Sequence, residues 1–221
     1  MSYGIWKFIH ILLFVYWLGA DLGVFILART ARRSDLSSDQ RSVLLQVALT
    51  IDLTPRVAFI LMFPVGLHLA SAAGYVRPNL AAFAATWAVS FGWLLLIMFL
   101  WKSRHDAATQ KRLNSAHVAL QVALLVVVSG LGISSLLGYG PFPADWLGLK
   151  VLLFGVIFFC AIMIDVEFRP AVPAFARLAQ EGSKPEIEAQ ITRSVNRAIF
   201  WVLATYTLVV IVAFLGTVKP L

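Results

Sequence analysis

The sequence predicts an all-α fold: a polytopic membrane helical bundle with six transmembrane helices in a single domain over 1–221. Three observations predict it. Hydrophobic residues make up 60% of the chain, well above the usual share of soluble domains. Mean hydropathy is +0.85. Six apolar stretches can be drawn, each near the length a bilayer requires.

The spans fall at about 5–28, 55–74, 80–101, 114–138, 147–168 and 194–216. The first is too long for a cleaved signal, lacks a basic leading region and is followed by no small-residue cleavage site, so it is expected to stay. Ser37 to Thr54 is apolar on one side and opens with Ser37 and Gln40, the pattern of a capping box. It is expected to lie along the membrane surface. Thr54-Pro55 then reads as an N-cap followed by proline at the first helical position of the second span. The third and fourth spans are joined by a basic loop that contains His105, expected to be solvated. The sixth is expected to start early, at Pro185, and to project beyond the lipid before entering it.

The basic residues fix an expected orientation. Arg29, Arg32, Arg33, Arg41, Arg56, Lys102, Arg104, Lys111, Arg112, Arg169, Arg177, Lys184, Arg193 and Arg197 fall on one side. Only Lys7, Arg77, Lys150 and Lys219 fall on the other. Positive residues accumulate on the cytoplasmic side, so a cell inner (plasma) membrane location with both termini facing away from the cytoplasm follows. Trp6, Tyr75 and Trp146 suit the outer aromatic belt and Trp101 the inner one. The net charge of +7 is accounted for by these flanks, not by nucleic-acid binding. The single Cys160 excludes an intrachain disulfide, a zinc cluster and an iron–sulfur centre.

His10 is the most informative residue. It lies five residues into the first span, and an imidazole at that depth is costly in lipid unless it faces the protein and finds a partner. His68 lies six residues from the matching end of the second span. At 1.5 Å per residue both sit roughly 8–9 Å below the outer helix ends. Facing histidines from two helices are a standard way to hold the iron of haem b. Lys150 begins the fifth span at a comparable level, where Lys150 or Lys7 would suit a haem propionate. Phe14 and Trp17 share the face of His10, and Trp17 joins the candidate cofactor-binding residues. Gly66 and Pro64 precede His68 and suit a bulky planar guest. Gly19 and Gly23 form a Gly-x-x-x-Gly pattern that permits close helix contact. The bland readings stand beside these. A membrane histidine can simply hydrogen-bond across helices, Lys150 can extend toward the interface, and the glycines can serve packing.

A second polar group falls in or near the opposite third of the spans: Asp21, Arg56, His117, Asp165, Glu167, Asn196 and Arg197. Both signs are present. One reading is a buried ion-pair network that fixes helix register; the other is a proton path or a second ligand site. Asp21 is expected to pair with Arg56 or Arg197. A second haem on His117 lacks an opposing histidine at its depth.

These residues carry a resemblance. Lys7-Phe-Ile-His10-Ile-Leu-Leu-Phe-Val-Tyr-Trp-Leu-Gly resembles the first helix of HemJ-type protoporphyrinogen oxidases and the related CopD-like membrane proteins. Trp146-Leu-Gly-Leu-Lys150-Val-Leu-Leu-Phe resembles the lysine-bearing helix of that group. Pro55 through Leu69 is similar to its second helix, and Arg193-Ser-Val-Asn196 to the opening of its last. The likeness covers about half of the chain. It implies haem b on His10 and an oxidoreductase function with quinone or a porphyrinogen as partner. HemJ-type chains are shorter and four-helical, so spans three and four look like an added pair. The CopD-like side of the resemblance brings in copper. Copper(I) favours thioether and thiolate ligands, and only Met1, Met62, Met98, Met163 and Cys160 are present, with no paired methionine motif.

The sequence therefore points to a haem b membrane redox protein with His10 and His68 as axial ligands. A CopD-like copper permease and a haem-free structural or assembly subunit are the alternatives. A homo-oligomer or a redox partner subunit is compatible with each.

Overall fold

The computed structural model describes residues 2–102 and 106–220. The expectations placed on Met1, Arg104 and His105 lie outside the described residues. Eight helices follow in order: α1 (Tyr3–Ala31), α2 (Ser38–Ile51), α3 (Leu53–Ala72), α4 (Leu80–Lys102), α5 (Ala107–Leu136), α6 (Asp145–Phe168), α7 (Ala171–Glu181) and α8 (Pro185–Val218). The fold is all-α, with no strand among the described residues. Among the described residues, six helical stretches are long and apolar enough to cross a membrane.

Local chemistry sets the helix starts. At α2, Ser37 Oγ accepts from the Gln40 backbone N–H at 3.3 Å and Gln40 Oε1 accepts from the Ser37 N–H at 3.0 Å. This is the reciprocal capping box expected there. At α5, Asp106 accepts from the N–H groups of Ala108 and Thr109. The helix therefore begins seven residues before the span boundary at 114. At α3 the expectation is corrected. Thr54 is not the N-cap, because α2 ends at Ile51, Asp52 is itself right-handed helical and α3 begins at Leu53. Pro55 falls inside the first turn, where its missing N–H costs nothing. The early start of α8 at Pro185 is as expected. The segment before it holds α7, which the basic residues had disguised as a plain connection.

The described residues group into two compact units. The first comprises Met1–Val15, Val57–Phe159 and Leu208–Leu221; the second comprises Tyr16–Arg56 and Cys160–Thr207. In the first unit, α3, α4 and α6 pack through Phe59, Trp93, Phe154 and Phe158. The Phe59 ring centroid lies 4.8 Å from that of Phe158 and 5.8 Å from that of Trp93. Helices α5 and α6 approach so closely that a Cβ on Gly132 would lie 2.6 Å from Leu152 Cα. Gly155 of α6 is packed in the same way against the Ser129 backbone, with its Cβ position 3.0 Å from Ser129 Cα, whereas the Gly19/Gly23 pair makes no such crossing. A Cβ on Gly19 meets nothing within 4 Å, and one on Gly23 meets only Ile51 Cγ2 at 3.9 Å.

The second unit has its own core of Ala31, Ala171, Ala174, Phe175, Leu178, Ile187, Ile191 and Val195. Arg41 is buried against it at 1% exposure. Its Nε donates to the Ala31 carbonyl at 2.7 Å, and its two Nη groups donate to the Glu188 carboxylate at 2.7 and 3.0 Å. A buried guanidinium needs this full set of acceptors, and the set ties α2 to the end of α1 and the start of α8. Glu188 precedes the 194–216 span. Hydrogen bonds from Arg41 hold its carboxyl below the ordinary value, helped by Ser183.

Candidate functional site

The site grows from one close approach between α1 and α3. His10 points at Gly66, where a Cβ would lie 3.3 Å from His10 Cε1 and 3.7 Å from Nδ1. Only a glycine leaves the imidazole this much room. The His10 Nδ1 atom is buried and has no hydrogen-bond partner. A buried polar atom left without a partner costs roughly 1–3 kcal/mol, so its retention marks a place where something else can complete it. Lys150 of α6 lies close enough for its charge to act on His10.

His68 is placed differently. Its ring stacks on Trp6 at 4.1 Å with an interplanar angle of 6°, and on Phe83 at 4.2 Å and 18°. Its Nε2 accepts the Trp87 indole N–H at 3.0 Å. His68 is therefore level with Trp6, one helical turn from His10, while Gly66 is level with His10. Each imidazole has its own neighbours. Ligation through His68 Nε2 would require Trp87 to give up its hydrogen bond. Neither Phe83 nor Trp87 could be singled out from sequence, because both lie on a third helix among many similar aromatic residues. Trp17 is buried within the second unit. Lys7 is exposed, its ammonium 5.9 Å from the Tyr3 ring centroid.

At the same end of the first unit, Lys219 Nζ donates to the Tyr75 hydroxyl at 3.0 Å and lies 5.6 Å from the Trp146 ring centroid. Tyr75 and Trp146, taken as belt residues, thus also bind the chain end.

The other polar group has members in both units. His117 belongs to the first unit, where Trp93 Nε1 donates to its Nδ1 at 3.0 Å. Gln121, one turn on, is buried with its Oε1 unpaired. In the second unit Arg56 bridges two carboxylates, Asp52 at 2.6 Å and Asp165 at 3.0 Å. The expected Asp21 ion pair is corrected: Arg56 is committed to Asp52 and Asp165. Asp21 lies near Arg56 and Asp52, with the buried Tyr206 hydroxyl beside it but not aligned as a full hydrogen bond. Arg197 reaches Glu167 at 3.6 Å from a largely exposed position, and Asn196 is exposed.

No group of three or more His, Cys, Asp or Glu residues is arranged to hold a metal ion among the described residues. Met62 is buried in the first unit and Cys160 in the second. For a haem, which brings four nitrogen ligands of its own, a single well-placed imidazole is a sufficient protein contribution. His10 is the imidazole that could serve in that way, with Lys150 as the nearby cation. Against known families, characterised proteins and solved structures, the chain has no match.

Proposed function

We propose that this chain is a haem b-binding membrane redox protein, with His10 as the protein ligand and Lys150 as the cation for a propionate. The observation that carries the reading is the buried, unpartnered Nδ1 of His10 against Gly66. When bound, the haem supplies one-electron chemistry. The chain's own contributions are separate. His10 offers a neutral nitrogen in a site screened from water. Gly66 keeps the ring's place open. Lys150 offsets anionic charge at the edge of the site. His68 is the candidate second ligand, held in reserve by Trp87.

The orientation that goes with this reading places the site near the non-cytoplasmic face of the cell inner membrane, from the basic-residue asymmetry. A quinone or a porphyrinogen would be the exchange partner, following the HemJ-type resemblance.

A haem-free structural or assembly subunit is the competing reading. It is favoured by the fact that His68 and His117 already have indole partners. The visible spectrum of the purified protein separates the two. The proposal requires b-type haem bands that change on reduction with dithionite; a colourless, well-folded protein expressed with ample haem would overturn it.

A further inference from the structure

Lys150 forms no ion pair among the described residues. Its side chain runs to α8 and ends at Gly216. A Cβ built on Gly216 would clash with the Lys150 ammonium, and would lie 3.5 Å from Cε and 3.7 Å from Cδ. The ammonium therefore occupies the notch left by the missing side chain. Helix α8 ends two residues later, at Val218. The carbonyl end of a helix carries a partial negative charge. That explains why a cation settles there, but it offsets only part of a full charge. The remainder is available to an anion.

We infer that Gly216 is the specificity-determining residue of the site: its missing side chain sets where the Lys150 ammonium stands beside His10, and so gives the site its preference for a ligand bearing a carboxylate. A larger residue at 216 evicts the ammonium from the notch while leaving the helix intact, because the displaced group is the end of a flexible side chain. The ligand class rests on the porphyrin reading above; the placement of the ammonium does not.

The test uses the full-length protein in detergent or nanodiscs and compares wild type with Gly216→Ala, Gly216→Val and Lys150→Met. Acylation of Lys150 by a membrane-permeant amine reagent is followed by peptide mass spectrometry. Binding of mesoporphyrin IX and of its dimethyl ester is followed by tryptophan quenching. Wild type should bind the free acid about tenfold more tightly than the ester, the size of one charge-assisted contact. Gly216→Val should lose that preference and label Lys150 severalfold faster, with Gly216→Ala between the two. In a Lys150→Met background the substitutions at 216 should have no further effect on the preference. Unchanged Lys150 labelling in Gly216→Val would overturn the inference. So would a wild type with no preference for the acid, or an equal loss of binding in the Lys150→Met background, which would mark Gly216 as a packing residue only. A wild type that carries no haem yet shows the labelling and acid-preference results would sink the haem reading and leave this inference standing.

Discussion

The imidazole of His10 packs against the bare backbone of Gly66, with only 3.3 Å between its Cε1 and the place a Cβ would take. The two residues come from α1 and α3, and the contact fixes the ring's position more tightly than any hydrogen bond does. An alanine at 66 asks the ring to yield by a few tenths of an ångström, whereas a leucine would occupy its place. Gly66→Ala should therefore lower haem content modestly and Gly66→Leu should abolish it. Gly92→Ala, where a Cβ meets nothing within 4 Å, should leave it unchanged. Haem-to-protein ratio by pyridine haemochrome decides this; equal ratios in all three would contradict the packing role.

Trp87 keeps the Nε2 of His68 engaged at 3.0 Å. Replacing it with phenylalanine removes the donor and keeps the ring. Loss of one hydrogen bond costs about 1 kcal/mol, so the melting temperature should fall slightly. In the same variant His68 gains a free lone pair, and the low-spin share of the haem spectrum should rise. A spectrum identical to wild type would remove His68 from the candidate ligands.

The Arg41–Glu188 pair makes a pH prediction. The carboxyl of Glu188 is held below its ordinary value of 4.5, chiefly by hydrogen bonds from Arg41. A depressed carboxylate contributes stability that is fully present above the unfolded value and is lost as pH falls through the folded one. Stability should thus be flat from pH 7 down to the ordinary glutamate value and then decline. Glu188→Gln should weaken this decline, and Glu188→Ala should cost about 3–5 kcal/mol because Arg41 is left buried without its partner. Thermal melts across pH 3–7 in each variant check the sign; a decline of equal size in Glu188→Gln would assign it to other groups.

Glycines separate packing from bystander positions. Gly132 lies against the backbone of Leu152, which cannot move aside, so Gly132→Ala should cost about 1–3 kcal/mol by overpacking. Gly19→Ala, with open space at its Cβ, should be neutral or slightly stabilising through helix propensity. Yield and melting temperature of the folded protein give the comparison, and a larger loss at Gly19 than at Gly132 would reverse the assignment.

Much of the fold is legible in the sequence because its signals are local. Apolar length marks the spans, and Ser37 with Gln40 marks the start of α2. Counting 1.5 Å per residue from helix ends puts His10, His68 and Lys150 at one level, and the approach of Gly66 to His10 is not read that way. His68 shows the limit of that counting: two helices need not end at the same depth, and one turn is enough to put its ring against Trp6 in place of His10's level. Helix α7 was missed although Ala171, Ala174, Phe175 and Leu178 follow the spacing of one helix face. Arg177 within it reads as part of a loop on the basic side. The Gly19/Gly23 motif misled because spacing says that a helix can be approached closely, not that a neighbour does so. The partners of Asp21 were misjudged for a similar reason. Arg56 was the nearest cation to expect, but its Nε and Nη2 groups turn to Asp52 and Asp165.

The central claim is that His10 supplies the nitrogen that holds a haem. Chemical rescue tests it most directly. His10→Ala should purify folded but with its haem lost, and millimolar imidazole during haem reconstitution should restore both haem content and a b-type spectrum, because the free ligand fills the space left against Gly66. A His10→Ala protein that keeps its full haem content and an unchanged spectrum without imidazole would contradict the claim.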